Sequence, residues 1–129
     1  MLRYLLDTHV ILNWIDNPSS LPMTVQKIID DSNVCKVVSR VSLWEIAIKQ
    51  NLKKLSFQYD LEEILDELSN SEFEIMQIED DHMIKYVDLP LTHKDPFDRM
   101  LIATSKSEDL IIITSDQCIK QYEVKYIWE

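Results

Sequence analysis

Apolar residues along the chain follow two spacings, one typical of strands and one typical of helices. Short apolar or alternating runs predict strands at residues 2–6, 34–39, 73–78, 110–114 and 124–127. Apolar residues that return every three or four positions predict helices at residues 8–15, 24–31, 41–52, 61–68, 80–87, 96–107 and 117–122. Strands and helices therefore alternate along the chain.

This alternation predicts the fold class. Strands separated by helices are joined by right-handed crossovers, which build a parallel sheet with helices on both faces. We expect a three-layer α/β/α fold with a central, mostly parallel sheet of about five strands. A length of 129 residues fits a single domain, residues 1–129. In such sheets a site forms beyond the carboxyl ends of the strands, where the strand order reverses.

Composition excludes several classes of protein. The chain contains no glycine, so it has neither a Walker A loop nor a Gly-rich dinucleotide fingerprint. A net charge of −10 argues against a non-specific nucleic-acid binder, although metal ions and a local basic patch can offset it in a nuclease. Cys35 and Cys118 lack a paired spacing with histidine, which favours reduced thiols and a cytoplasmic location. No apolar run approaches the roughly 20 residues of a membrane span, and the N-terminal run reads as core, not as a signal peptide.

Four acidic residues stand where the fold predicts a site. Asp7 directly follows the first strand, and Asp116 lies just past the strand at residues 110–114. Glu45 and Asp98 lie on the apolar faces of their helices at 100° per residue. A carboxylate that faces inward is costly to bury unless it is paired or bound to a metal ion. The four acids therefore predict one shared pocket.

Helix capping is the alternative explanation for several of these acids. Asp7 and Asp116 each stand just before a helix, where an aspartate caps the free N–H groups. Asp95 before Pro96 is a strong capping signal, and Asp98 in the same first turn favours the helix dipole. Capping leaves the mid-helix acid at position 45 unexplained, except as a partly exposed flank of its apolar stripe.

The chemistry of grouped carboxylates is that of a divalent metal site. Mg²⁺ and Mn²⁺ prefer hard oxygen ligands, and such a metal polarises a phosphoryl oxygen and activates water. The chain has no nucleophilic Ser or Cys elbow and no His/Cys zinc spacing. Metal-activated water is therefore the expected nucleophile.

Four sequence blocks resemble the PIN-domain toxins of VapC type. In chain order they are Tyr4-Leu5-Leu6-Asp7-Thr8-His9, Ser42-Leu43-Trp44-Glu45-Ile46-Ala47-Ile48-Lys49, His93-Lys94-Asp95-Pro96-Phe97-Asp98-Arg99-Met100-Leu101-Ile102-Ala103 and Ile113-Thr114-Ser115-Asp116. The similarity extends from Met1 to Trp128. Any one block is a weak signal, whereas the four together in this order and spacing are specific.

The resemblance implies an activity, a cofactor and partners. It implies a Mg²⁺- or Mn²⁺-dependent endoribonuclease whose catalytic and metal-binding acids match Asp7, Glu45, Asp98 and Asp116. Thr114 or Ser115 matches the polar position that supports this cluster. It also implies a toxin that cuts tRNA, rRNA or mRNA, a cognate antitoxin that inhibits it, and a homodimer.

One departure from the family pattern concerns a helix end. Relatives usually carry a glycine where this chain has the segment Asn51-Leu52-Lys53-Lys54-Leu55. Asparagine tolerates the left-handed conformation, so we expect Asn51 to form the cap in place of glycine.

Several further residues near the acids are candidates for substrate contacts. Lys49, Lys94 and Arg99 are close to the acids in sequence and are candidates for contacts with RNA phosphates. The alternatives are a solvated cation at Lys94 and an ion pair between Arg99 and Asp95. His93 is a candidate for proton transfer, or a structural loop residue. Trp14, Trp44 and Trp128 are expected in the core or an interface.

Two other functions are compatible with the acids. A phosphoryl-transfer domain, either an aspartyl phosphatase or a phosphoacceptor regulator, also has an aspartate after its first strand. The phosphatases carry a second aspartate two positions later, where this chain has His9. The other alternative is a non-catalytic binding module in which the acids are helix caps.

Overall fold

The computed structural model describes residues 2–129. The strands are β1 (Arg3–Leu6), β2 (Cys35–Ser39), β3 (Glu74–Met76), β4 (Ile111–Ile113) and β5 (Tyr126–Ile127). The helices are α1 (Thr8–Asp16), α2 (Met23–Asp30), α3 (Arg40–Asn51), α4 (Leu61–Ser69), α5 (Asp80–Val87), α6 (Pro96–Glu108) and α7 (Gln117–Lys120). A short 3₁₀ turn, Pro18–Ser20, follows α1. Every strand and helix predicted from the sequence is present, with ends that differ by at most two residues.

The five strands form one sheet in the order β3-β2-β1-β4-β5, and every neighbouring pair is parallel. Leu5 in β1 lies beside Val37 in β2 and Ile112 in β4. The chain moves outward from β1 to β3 and then crosses back to β4, so the strand order reverses between β1 and β4. This is the place where α/β sheets form their sites.

The two faces of the sheet are covered by different helices. Leu6 and Val38 belong to a buried cluster with residues of α1, α2, α3 and α4. Leu5, Val37 and Ile112 belong to a second cluster, mainly with residues of α6 and α7. Neighbouring strand residues therefore point to opposite faces, as the period of a strand requires. The predicted three-layer α/β/α fold is confirmed.

The edge strands β3 and β5 are shorter than the apolar pattern predicts. The predicted ranges were 73–78 and 124–127, but only Glu74–Met76 and Tyr126–Ile127 pair with a neighbour. The outer residues of both predicted ranges continue the apolar pattern but do not pair with the single neighbouring strand.

The end of α3 corrects one prediction. Asn51 is the last helical residue, and the left-handed residue is Lys53, with φ 55°. The Lys53 N–H donates to the Gln50 carbonyl and the Lys54 N–H donates to the Lys49 carbonyl. These two bonds form a Schellman motif, which places the left-handed residue two positions after the last helical one. The prediction for Asn51 was wrong because this residue is still helical and Lys53 takes the left-handed conformation.

Within residues 2–129, the structure has no helix with the length and apolar character needed to span a membrane.

Candidate active site

A cavity of about 180 Å³ opens at the carboxyl ends of β1 and β4. The residues that line it come from α1, α3, α6, the loop before α6 and the residues that cap α1 and α7. They are Asp7, Thr8, His9, Glu45, Lys49, His93, Asp95, Asp98 and Asp116. The four acids singled out in the sequence therefore lie around one space. Asp95, Lys49 and His93, three other predicted residues, line it as well.

Asp7 is held at the junction of β1 and α1. Its carboxylate is 4% exposed; Oδ1 accepts from the Val10 N–H at 3.0 Å and caps α1. Oδ2 accepts from the Thr114 hydroxyl, which comes from the end of β4. Asp7 therefore caps α1, as the alternative explanation predicted. The cap uses only Oδ1, and the carboxylate still lines the cavity. Burial raises the pKa of Asp7, and the hydrogen bond from Thr114 offsets part of this rise.

Glu45 projects from the middle of α3 and is 5% exposed. Its Oε1 accepts from the Thr8 hydroxyl at 2.7 Å, and its Oε2 accepts from Lys49 Nζ at 2.8 Å. The Ser42 hydroxyl lies 3.1 Å from the Thr8 hydroxyl and extends this network. The alternative of a partly exposed flank is wrong, because the carboxylate is buried and fully engaged.

Asp98 lies in the first turn of α6 beside two other cavity residues. Its Oδ2 lies 3.1 Å from His93 Nε2, in the loop before the helix. Asp95 caps the same helix, with Oδ1 accepting from the Phe97 and Asp98 N–H groups at 2.9 Å and 3.3 Å. Burial and the nearby charge of Asp95 raise the pKa of Asp98 to about 6.

Asp116 and Thr114 connect the end of β4 to Asp7. Asp116 caps α7, with Oδ1 accepting from the Cys118 N–H at 2.7 Å. Its own N–H donates to the Thr114 hydroxyl oxygen at 2.9 Å. Thr114 thus donates to one cavity acid and accepts from the backbone of another. Of the three predicted supporting residues, Thr114 takes this position and Asp95 lines the cavity, whereas Ser115 is exposed.

One part of the cavity is especially compact. Single donor atoms of His93, Asp95 and Asp98 all lie within 4.8 Å of one another. No other group of three His, Cys, Asp or Glu donors within residues 2–129 meets this spacing. Only Asp98 of the four predicted acids belongs to this group. The carboxylate oxygens around the cavity are hard donors, and burial raises the pKa of both Asp7 and Asp98, with a smaller rise from nearby acids. The donor set therefore fits a divalent cation.

Lys49 provides a positive charge inside the cavity. It lies one turn after Glu45 on α3, and the ion pair with that carboxylate raises the pKa of Lys49. Its side chain is 41% exposed, so the ammonium group borders both the acids and solvent. Of the three predicted RNA contacts, Lys49 alone lines the cavity.

The other two predicted RNA contacts lie outside the cavity lining. Lys94 is exposed in the loop before α6, which agrees with a solvated cation. Arg99 is 5% exposed, and its Nη1 donates to the carbonyls of Pro90 and His93 and to the Tyr122 hydroxyl. The structure contradicts both readings of Arg99: its buried guanidinium is not available to RNA phosphates, and it makes no ion pair with Asp95 within residues 2–129.

Sequence reasoning missed two residues of the cavity. Thr8 donates to Glu45, and the sequence analysis assigns it no role. Its position next to Asp7 at the start of a helix is a signal for the same edge of the sheet. His9 was given no role and also lines the cavity. The Thr8 contact joins α1 to α3, and the sequence contains no local signal for a contact between those two helices.

The raised pKa of Asp98 predicts a pH effect on stability without metal. Because its folded pKa is about 6 and its reference value is 3.8, the folded state binds this proton more tightly than the unfolded state. The free energy of unfolding therefore falls as pH rises from about 4 to about 6, by up to roughly 3 kcal/mol from this group. Urea denaturation in EDTA at several pH values measures it, and Asp98→Asn should remove this part of the slope. The control is Asp66→Asn, a change at an exposed acid of α4, which should keep the dependence of stability on pH. If Asp98→Asn kept this dependence and Asp66→Asn lost it, the assignment to Asp98 would be contradicted.

A family model of the PIN domain matches residues 4–125. The chain therefore belongs to the PIN domain family. No curated protein sequence gave a significant match.

Solved structures with the same fold include chains from three bacterial VapBC crystal structures. VapBC2 from Rickettsia felis, bound to a DNA fragment from its promoter, matches at a TM-score of 0.77 and 15% identity, covering 99% of this chain and 100% of that chain. DNA-bound VapBC from Salmonella typhimurium matches at a TM-score of 0.71 and 16% identity, covering 98% of each chain. VapBC-1 from nontypeable Haemophilus influenzae matches at a TM-score of 0.70 and 16% identity, covering 98% of this chain and 97% of that chain. The predicted PIN domain family and the predicted fold are therefore confirmed.

Proposed function

We propose that this protein is a Mg²⁺- or Mn²⁺-dependent endoribonuclease that acts as the toxin of a toxin–antitoxin pair. The observation that carries the proposal is the meeting of Asp7, Glu45, Asp98 and Asp116 around one cavity at the point where the strand order reverses. PIN domains are generally nucleases, and the family match gives this cavity its expected chemistry.

The four acids would hold the metal ion. When bound there, the ion would lower the pKa of a water molecule and polarise a phosphoryl oxygen of RNA. The charge of the metal would also favour the ionised forms of Asp7 and Asp98, whose pKa values are raised in the structure without metal. Protons and metal therefore compete for the same carboxylates.

Other residues of the chain would orient these acids. Thr114 fixes one oxygen of Asp7, and Thr8 fixes one oxygen of Glu45. His93 holds one oxygen of Asp98. Hydrogen bonds of this kind keep carboxylates in a single arrangement, which tightens metal binding and positions the reacting groups.

Lys49 is the residue that we propose contacts a substrate phosphate in the cavity. In the structure its ammonium group neutralises Glu45. When a cation occupies the acids, Lys49 would be free to pair with a phosphate oxygen at the cavity edge, which its partial exposure allows.

The residue two positions after Asp7 weighs against the phosphoryl-transfer alternative. Aspartyl phosphatases carry a second aspartate there, whereas this chain has His9. The buried Glu45, which caps no helix, weighs against a binding module whose acids are only caps.

We also propose a cognate antitoxin as partner, because the matched structures come from VapBC complexes and one further match is described as a toxin–antitoxin complex from Klebsiella pneumoniae. A homodimer and a cytoplasmic location stay predictions from the sequence. Sedimentation velocity would measure the oligomeric state.

Purified protein tests the proposal directly. Single-stranded RNA and tRNA should be cut in the presence of Mg²⁺ or Mn²⁺, cleavage should stop with EDTA, and excess metal should restore it. Expression in a host without the antitoxin should arrest growth, and co-expression of the adjacent gene product should relieve the arrest. Failure to cut any RNA with either metal, together with normal growth, would reject the proposal.

A further inference from the structure

An exposed aromatic side chain lies next to the acidic cavity. Trp44 in α3 is 59% exposed and immediately precedes Glu45. Its ring meets the ring of Phe97 in α6, with 5.5 Å between centroids and 73° between planes. Phe97 in turn immediately precedes Asp98. The aromatic pair therefore joins the two helices one residue before each of two cavity acids.

The exposure of Trp44 sets it apart from the other tryptophans. Trp14 packs against Phe73 with 4.7 Å between ring centroids, and both Trp14 and Trp128 pack against a buried core cluster. An aromatic ring with a large exposed surface offers a rigid apolar face to a ligand, and the indole of Trp44 keeps 59% of its surface in solvent. The near-perpendicular contact with Phe97 fixes the indole in place while most of its surface stays accessible.

Two exposed cations belong to the segments that carry the aromatic pair. Arg40 is exposed one helical turn before Trp44, so both side chains project from the same side of α3. Lys94 is exposed in the loop that leads into α6, three residues before Phe97. Neither cation forms an ion pair within residues 2–129, in a chain whose net charge is −10. Unpaired cations next to an open aromatic ring match a polyanion whose units carry flat rings.

We propose that Trp44 is a stacking platform for one unpaired base of the RNA substrate, and that Arg40 and Lys94 contact the phosphates on either side of it. Single-stranded nucleic acids are held in this way, by aromatic rings for the bases and cations for the backbone. The proposal rests on the ribonuclease activity proposed above and adds a binding position for one unpaired base next to the cleaved bond.

Replacement of the indole tests this role. Trp44→Leu keeps apolar volume but removes the aromatic face, and Trp44→Phe keeps an aromatic face. We expect the leucine variant to raise KM for an unstructured oligoribonucleotide by about five- to a hundredfold with little change in kcat, and the phenylalanine variant to retain most of the affinity. Tyr126→Leu, a loss of another exposed aromatic outside the cavity lining, is the matched control and should leave KM unchanged.

A substrate without one base separates stacking from a structural role. The nucleotides around the cleavage point are replaced one at a time by an abasic residue. For the wild type, one such position should raise KM by about the same factor as Trp44→Leu, and the two losses should not add, because both remove the same contact. A purely structural role of Trp44 would leave the losses additive.

The outcomes distinguish this inference from the proposed function. If the wild type cuts no RNA with either metal, the proposed function itself fails. If the wild type cuts RNA but no abasic position matters, or if Trp44→Leu keeps the wild-type KM, the stacking role is overturned while the nuclease assignment stands. A leucine variant that cuts RNA normally but escapes neutralisation by the antitoxin would assign this surface to a protein partner and would also overturn the stacking role.

Discussion

We expect Asp7→Asn to abolish metal-dependent RNA cleavage and, at the same time, to make the metal-free protein more stable. The carboxylate is 4% exposed at the junction of β1 and α1 and borders the cavity of the four acids. Loss of a charged metal ligand should lower the cleavage rate by about three orders of magnitude or more. Growth arrest on expression should disappear with it.

The gain in stability follows from the direction of the pKa shift. Burial raises the pKa of Asp7, so at neutral pH the folded state bears the cost of an ionised carboxylate that the unfolded state does not bear. Asparagine removes this charge and its repulsion with Asp116, and its side-chain oxygen can still cap α1 by accepting from the Val10 N–H. We expect the melting temperature in EDTA to rise by roughly 2–6 °C.

Metal addition should reverse the order of the two proteins. Saturating Mn²⁺ should raise the melting temperature of the wild type, because a ligand that binds only the folded state stabilises it. It should raise that of Asp7→Asn much less. The control is Asp66→Asn, a change at an exposed acid of α4, which should alter neither cleavage nor the metal response. A fully active Asp7→Asn protein would remove the basis for the metal site.

Much of the fold and part of the site can be predicted from the sequence because short-range periodicity and one rule of sheet topology determine them. The two-residue period of strands places Leu5 and Leu6 on opposite faces of the sheet, where the structure has them in different clusters. The rule for the carboxyl ends of strands brings Asp7 and Asp116 to one edge. Helical periodicity turns Glu45 inward, and it is buried.

What the sequence does not predict are contacts between elements that are far apart in the chain. The bond from Thr8 to Glu45 joins residues 37 positions apart, and the bond from Thr114 to Asp7 joins residues 107 positions apart. No local pattern indicates either partner. The exposure of Trp44 is of the same kind, because it depends on how α3 and α6 meet.

Arg99 is a case in which a usable signal was present in the sequence. Ile102 and Ala103 follow it by three and four positions, and both are fully buried, so the helical period also turns Arg99 inward. Closeness to Asp98 in sequence favoured an RNA contact for Arg99 instead. Helix periodicity predicts the direction of the side chain better than closeness in sequence, because neighbouring helical residues point 100° apart.

The buried position of Arg99 leads to the second large effect that we expect, a loss of stability in Arg99→Met. Its guanidinium donates to the Pro90 carbonyl at 2.8 Å, the His93 carbonyl at 3.2 Å and the Tyr122 hydroxyl at 3.0 Å. It also lies 4.9 Å from the centroid of the Tyr86 ring. These contacts tie the loop between α5 and α6 to the helix that carries Asp98. Methionine keeps apolar volume but leaves the Tyr122 hydroxyl as the remaining donor to both carbonyls, so we expect a loss of about 1.5–3 kcal/mol in the free energy of unfolding.

The same substitution should also weaken the site, because the loop held by Arg99 carries His93, whose ring contacts Asp98. Urea denaturation measures the stability loss, and metal titration at a temperature where the variant is folded measures the effect on the site. Arg99→Lys should recover only part of the stability, since one ammonium cannot reproduce the planar guanidinium over Tyr86. Lys94→Met, at an exposed cation of the same loop, should change stability by less than about 0.5 kcal/mol. If Arg99→Met and Lys94→Met proved equally stable, the guanidinium would not be what holds this loop, and the position of His93 would have to depend on the hydrogen bond from its N–H to the Tyr122 hydroxyl.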